Sequence, residues 1–286
     1  MTATAIEPST LEREAERAMR DLAIPPCPEI LLRFDTEMRS PDPDLRKLAG
    51  LIGADVALSA AMLKTVNSPF YGLGNKAANV QQALSVLGLR AGANLVTGLM
   101  LRHAFPAGSG PAMQRFWDRS GKIAEVAAAT SARVRNMNPD TAHTYALFRD
   151  CGMAVMIGKF HEYAPFLDRL ESEAGKRVIV AEDGRFRFHH ARVGYALARG
   201  WLLPETMGKA ILYHHDLEMV IAGHRDVEPG DRRLVAFGLL AEQVLALRAG
   251  KGLCPDWVLG EAFVLDALDL TAEDIVDLVS TEALAA

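Results

Sequence analysis

The chain has 286 residues, half of them apolar, with 31 basic against 36 acidic side chains and a net charge of −5. That length fits one large domain or two modest ones, and with so much apolar content it excludes a disordered chain. The acidic balance argues against a protein that coats nucleic acid, which needs a basic face for phosphates.

The periodicity is helical almost throughout. Residues 10–22 form an amphipathic segment with Ser9 or Thr10 as N-cap. Ile24-Pro25-Pro26-Cys27-Pro28 breaks it, since proline lacks the amide proton and restrains its predecessor. A helix restarts at 29–38. Asp42 or Asp44 can cap the next one, through Ile52, and Asp55 caps 56–66, whose Ala57, Leu58, Ala61, Met62 and Thr65 share one face. Asn67-Ser68-Pro69-Phe70-Tyr71-Gly72 reads as a turn pinned by aromatics. Helices follow at 80–87, stopped by Gly88, and at 89–103, then a plain linker over 105–111. A second set runs over 116–133, 141–161 (one helix interrupted at Gly152), 189–199, 204–214, 231–249 and 271–279, with 177–180 as a candidate extended piece. Repeats and strand signals are lacking, so the expected class is all-α.

Three scattered cysteines, Cys27, Cys151 and Cys254, form no CxxC pair and no zinc spacing, and read as free thiols. The N-terminus lacks a leader's apolar core, and no apolar run reaches the ~18 residues of a membrane span. The expectation is a soluble cytoplasmic protein.

The eight histidines are the natural place to look for chemistry. His189-His190 and His214-His215-Asp216 are adjacent pairs, and Arg149-Asp150 precedes Cys151-Gly152 on another segment. Imidazoles and carboxylates converging from several helices build metal sites in helical proteins. Taken singly, such pairs near helix ends more often cap or pack. His103, His143, His161 and His224 have no companion motif and read as structural or exposed. Gly184-Arg185-Phe186-Arg187-Phe188 mixes basic and aromatic residues as single-strand binders do, but one short stretch in an acidic chain reads as a partly packed loop.

Several motifs in order resemble the HDOD family, a divergent branch of the HD phosphohydrolase superfamily found in bacterial signalling proteins. Ile24-Pro25-Pro26-Cys27-Pro28-Glu29 is similar to that family's opening "LPPLPE", Ile52-Gly53-Ala54-Asp55-Val56-Ala57-Leu58 to "I..DPALT", Asn67-Ser68-Pro69-Phe70-Tyr71-Gly72 to "NSAFYG", and Ala83-Leu84-Ser85-Val86-Leu87-Gly88 to "AI..LG". Phe116-Trp117 with Ser120, Arg149-Asp150-Cys151-Gly152, His190 with Val193-Gly194, Trp201-Leu202-Leu203-Pro204 and Tyr213-His214-His215 continue the resemblance, over roughly residues 20–250. It implies an N-terminal extension (1–22), an HDOD domain over 23–250 with a helical lobe (23–107) and an HD-like lobe (112–250), and a C-terminal helical extension (251–286).

An HD site, by the same resemblance, uses a His, a His-Asp pair and further His and Asp ligands. Here the first His position holds Arg119 and the His of the pair holds Arg149, beside a retained Asp150. His190, His214 and His215 stand where later histidines are expected. The last Asp falls near Gly238 or Leu239, neither of which offers a ligand oxygen. Arginine stays protonated and has no lone pair to donate, so two-metal hydrolysis is not expected. No cofactor and no metal are expected; a residual single-metal site would use Asp150, His190, His214 and His215. Arg149 or Arg119 could pair with a buried Asp150. Arg119, Arg149, Asp150, His190, His214 and His215 are the candidate ligand-binding residues, either as a pocket for a nucleotide or other phosphate-bearing ligand, or, on the favoured reading, as groups that replace the lost metal charge and hold helices together. The implied function is a non-catalytic signalling module, with a metal-dependent phosphohydrolase of altered ligand set as the alternative. With no kinase, cyclase or phosphodiesterase segment in these residues, it is expected to act through a signalling protein such as a kinase, response regulator or cyclic-dinucleotide enzyme.

Overall fold

Short helices, two of them capped by aspartate, make up the N-terminal lobe of the computed structural model, which describes residues 10–68, 71, 76–171 and 178–280. Helix α1 (Thr10–Asp21) leads through the proline break to α2 (Glu29–Met38). Asp44 accepts the amides of Arg46 (2.8 Å) and Lys47 and so opens α3 (Leu45–Gly53). Asp55 accepts the amide of Leu58 at 3.0 Å and opens α4 (Val56–Val66). Each such cap stabilises its helix by about 1 kcal/mol. Asn67 uses both ends of its amide on Ala77, at 2.9 and 2.7 Å, tying together the two ends of the aromatic turn. Tyr71 of that turn is half-buried, whereas Pro69, Phe70 and Gly72 lie outside the described residues, as does Ser9. Helices α5 (Val80–Leu87) and α6 (Leu89–Ala104) meet at Gly88, whose φ of +78° requires a residue without Cβ.

The C-terminal lobe is built on α7 (Pro111–Ser131), α8 (Pro139–Phe148) and α15 (Pro229–Arg248), which pack on one another. Around them lie α9 (Cys151–Lys159), α10 (Tyr163–Glu171), α11 (Val178–Phe186), α12 (His190–Gly200), α13 (Glu205–Tyr213), α14 (Leu217–Ile221), α16 (Pro255–Leu268) and α17 (Ala272–Ser280). One apolar core runs through both lobes and includes Trp257, Phe263 and Leu268 of α16, so residues beyond 250 pack as part of the same body. Helix α1 docks on α12 through Ala15 and Ala18, and the indole N–H of Trp201 donates to the carbonyl of Pro25 at 3.0 Å, joining the lobes. No strand occurs among the described residues, and no single helix there is long and apolar enough to cross a membrane.

Some boundaries differ from the sequence expectation. The segment 141–161 is two helices, and the break falls at Arg149–Asp150 rather than at Gly152. Gly152 lies inside α9, where its lack of a side chain serves a close helix crossing. Residues 178–180 start a helix rather than a strand, and the 105–111 linker contains one 3-10 turn at Ala107–Ser109. In the basic–aromatic segment, Phe186 is buried against Phe160, Tyr163 and Phe166, while Arg185 pairs with Glu162 at 3.4 Å. The packing agrees with the expectation, but residues 184–186 close helix α11 rather than forming a loop.

Candidate functional site

Four potential metal ligands meet where α9, α12 and α13 converge. One ligand atom each from Asp150, His190, His214 and His215 lies within 4.8 Å of the others. Asp150 stands at the N-cap of α9, where an aspartate usually caps, yet its carboxylate makes no capping bond. Its Oδ1 instead lies 3.1 Å from His214 Nε2 and 3.6 Å from His190 Nε2. The two Nε2 atoms are 3.3 Å apart.

A crossing of α9 over α12 sets this spacing. A Cβ on Gly152 would sit 2.0 Å from the carbonyl oxygen of His190, and one on Gly194 would meet Ile211 Cγ2 at 2.9 Å. Only glycine permits so close an approach, and it brings Asp150 onto the first turn of α12.

Each imidazole is held from behind. His190 Nδ1 lies 2.8 Å from the wholly buried Glu182, which also accepts the backbone N–H of His190 at 2.9 Å and the hydroxyl of Tyr163 at 2.6 Å. His214 Nδ1 donates to the carbonyl of Ile211 at 2.7 Å, and His215 Nδ1 lies 2.7 Å from Asp256 on the first turn of α16. Carboxylates and carbonyls behind imidazoles are how proteins aim histidines at a metal.

The electrostatics follow the contacts. Burial alone would raise Asp150, but Arg149, His214 and His190 outweigh it and hold the carboxyl well below its ordinary range. Burial likewise opposes charge on His190, yet Glu182 and Asp150 raise its pKa above that of a free imidazole. Burial and the neighbouring His215 push His214 down to about 3, so it is neutral. With Nδ1 donating to Ile211, the Nε2 of neutral His214 carries a bare lone pair, 3.1 Å from an ionised carboxylate oxygen. Asp150 Oδ1 and the Nε2 atoms of His214 and His190 therefore face one point, where one divalent cation would satisfy all three together. Two nitrogens about 2.1 Å from one tetrahedral ion lie about 3.4 Å apart, close to the separation found here. The donor set, one carboxylate and three imidazoles, suits Zn, Fe, Ni or Mn.

The neighbouring ligand positions do not fit a second ion. Arg149, at the end of α8, reaches Glu242 on α15 at 2.8 Å, and Arg119 of α7 pairs with the other oxygen of the same carboxylate. The expected partner of these arginines, Asp150, is thus left to the histidines. Glu242 lies one turn beyond Gly238, where the last acidic ligand of an HD pattern was expected. Gly238 is bare for a reason: a Cβ there would come within 2.8 Å of Tyr145 Cε1 and 3.3 Å of Arg149 Cδ. The Tyr145 ring and the stem of Arg149 fill the room that a ligand at 238 would use, and an acid one turn later pairs with the guanidinium. From Asp150 through Arg149 and Glu242 to Arg119, charges alternate in sign.

All six expected site residues therefore lie in one region, sorted into two groups. Asp150, His190, His214 and His215 form the donor cluster, and Arg119 and Arg149 form a triad with Glu242. His189 caps α12, with Nδ1 accepting the amide of Arg192 at 3.4 Å, and burial drives its pKa down to about 3. Tyr163, Glu182, Glu242 and Asp256 were not singled out from sequence. Glu242 carried a signal, as the one acid inside the apolar run Leu234–Leu247; the other three carried none.

A model of the HDOD domain matches residues 24–217. An uncharacterized protein from Treponema pallidum (strain Nichols) is 28% identical over 220 residues, which cover 74% of this chain and 41% of that relative. The chain thus spans about two-fifths of that relative's length. Among solved structures, an HDOD domain protein of unknown function from Geobacter sulfurreducens superposes with a TM-score of 0.70 at 24% identity, covering 94% of this chain and 93% of its own. A predicted phosphohydrolase from Shewanella amazonensis SB2B gives 0.67 at 16% identity, covering 93% and 94%. At these identities the two structures establish the shared all-α fold.

Proposed function

Because the chain belongs to the HDOD domain family, we propose that it is a non-catalytic signal-transduction module whose HD-related site holds one divalent cation and recognises a partner protein instead of hydrolysing a phosphoester. The observation that carries this reading is the Arg149–Glu242–Arg119 triad beside a single four-donor cluster. Guanidinium groups keep their charge at every accessible pH and repel a cation, so the paired ions of a two-metal hydrolase have no room.

Asp150, His190, His214 and His215 would hold the ion, which when bound supplies Lewis-acid charge. The protein's own residues do the rest. Glu182 and Tyr163 fix His190, Ile211 fixes His214, and Asp256 ties His215 to α16. Filling the cluster draws α9, α12 and α13 together and, through Asp256, seats α16 on the same centre. A partner that reads the position of these helices reads the occupancy of the site. A small phosphate ligand is less well supported, because Glu242 already engages both arginines expected to bind it, one on each carboxylate oxygen; a signalling protein with a basic surface is the better match to a chain of net charge −5.

The rival, a one-cation phosphohydrolase, draws support from the same donor cluster. Turnover of phosphomonoesters and cyclic dinucleotides with added Mn²⁺ separates the two. Rates equal to those of Asp150→Asn support the binding module; turnover abolished by that substitution would establish a hydrolase.

A further inference from the structure

A second cavity, away from the histidine cluster, lies between the lobes. It has a volume of about 180 Å³, bounded by α2 and α6 on one side and by α8 and the α12–α13 turn on the other. Its lining is mostly apolar, with Leu31, Phe34, Met38, Trp201, Leu203 and Met207, and Asn94, Thr97 and Thr144 add polar groups. Two charged residues stand at its edge. Asp35 is paired with Arg39 at 2.8 Å, whereas Arg90 is exposed and has no ion-pair partner among the described residues. The rim therefore carries one unbalanced positive charge over a mostly apolar lining.

The wall supplied by Leu202 is the independent observation. Leu202 follows α12 in the left-handed position that ends many helices, with φ +61°, and Leu203 N–H donates back to Ala198 O at 3.0 Å. Glycine is the usual residue there, because a Cβ is strained in that conformation. Among the described residues the other positive-φ positions outside glycine are Ala23, Asn136, Arg187 and Asp269, and Leu202 is the one branched aliphatic. It is 45% exposed and lines the cavity, so its side chain offsets little of that strain by burial. A strained residue kept at a cavity wall points to a use for its side chain.

We propose that this inter-lobe cavity binds a small amphipathic monoanion of about eight heavy atoms in all: an apolar body ending in one carboxylate. At interior packing density, 180 Å³ accepts a molecule of about 130 Å³, the size of hexanoate. The chain enters among Phe34, Met38 and Met207, and the carboxylate pairs with Arg90. Met207 belongs to α13, whose far end carries His214, so the occupant sits against the helix that also serves the cluster.

The test uses the full chain and isotope-labelled Leu and Met methyl groups, titrated with hexanoate, hexanol and succinate. Hexanoate saturates with shifts at Leu31, Met38, Leu203 and Met207; hexanol binds about tenfold more weakly, and succinate leaves these methyls unmoved. Arg90→Gln, at an exposed site, lowers hexanoate to the level of hexanol. Leu202→Gly weakens binding while raising the melting temperature, a pair of opposite effects that a purely structural leucine would not give. Absence of saturable shifts, or hexanoate affinity unchanged in Arg90→Gln, overturns the proposal.

Discussion

Gly152→Ala tests the helix crossing that creates the site. The new Cβ would lie 2.0 Å from His190 O, 2.7 Å from Gly194 N and 2.8 Å from His190 C. All three are backbone atoms, so no side chain can swing away, and α9 must retreat from α12 by about 1 Å before the tightest contact reaches 3.0 Å. Overpacking of this kind costs about 1–3 kcal/mol, and a backbone collision belongs at the upper end. At roughly 2–4 °C per kcal/mol for a chain of this size, the melting temperature falls by about 6–12 °C. The same retreat parts Asp150 from His190, beyond the ~0.5 Å that a ligand set tolerates, and cation affinity falls at least about tenfold. Gly158→Ala is the control: it lies in the same helix with nothing within 4 Å of its would-be Cβ, and alanine there stabilises by about 0.5–1 kcal/mol. Thermal melts and calorimetric cation titrations of both variants decide the matter. If Gly152→Ala melts with the wild type and binds cation as well, α9 and α12 do not cross as described.

Glu242→Gln removes the carboxylate shared by Arg149 and Arg119; a buried guanidinium left without its main partner costs about 3 kcal/mol, read from urea unfolding. Tyr163→Phe deletes the 2.6 Å bond to Glu182 and loosens the grip on His190. Cation affinity then drops about tenfold with the circular dichroism spectrum unchanged, and an unaltered affinity would place Tyr163 outside the support of the site. Trp201→Phe loses the indole bond to Pro25 that joins the lobes and destabilises by about 1–3 kcal/mol; equal urea midpoints would show that this contact does not hold them.

Much of the fold was legible because local rules and tertiary packing agree. Asp44, Asp55 and Gly88 act where capping and backbone rules put them, and proline marks the break after α1. Helix α16 escaped notice although Pro255 stands at its first turn, because its polar and apolar residues do not sort into one clear stripe. The break at Arg149–Asp150 was misplaced for a related reason. Glycine was read as the weak point of a long helix, whereas Gly152 is required by a neighbour distant in sequence. Of the site, His190, His214, His215 and Asp150 were legible through the resemblance to the HD pattern, which places a His-Asp pair and later histidines at those positions. Their sorting from the arginines was not, since it depends on Glu242, Glu182 and Asp256, whose roles arise only when distant helices meet. Gly238 makes the same point: its meaning is the space that Tyr145 and the stem of Arg149 need.

The number of cations bound per chain bears most directly on the central claim. The purified, untagged protein is loaded with excess Mn²⁺, Fe²⁺, Ni²⁺ or Zn²⁺, desalted without chelator and analysed for metal and protein together, with Asp150→Asn and His214→Ala in parallel. One ion per chain, lost in both variants, is the expected result. Two ions per chain would mean that the arginine triad yields to a second metal and would restore a hydrolytic centre, while none would leave the histidine cluster as a hydrogen-bonded remnant and overturn the cation-holding module.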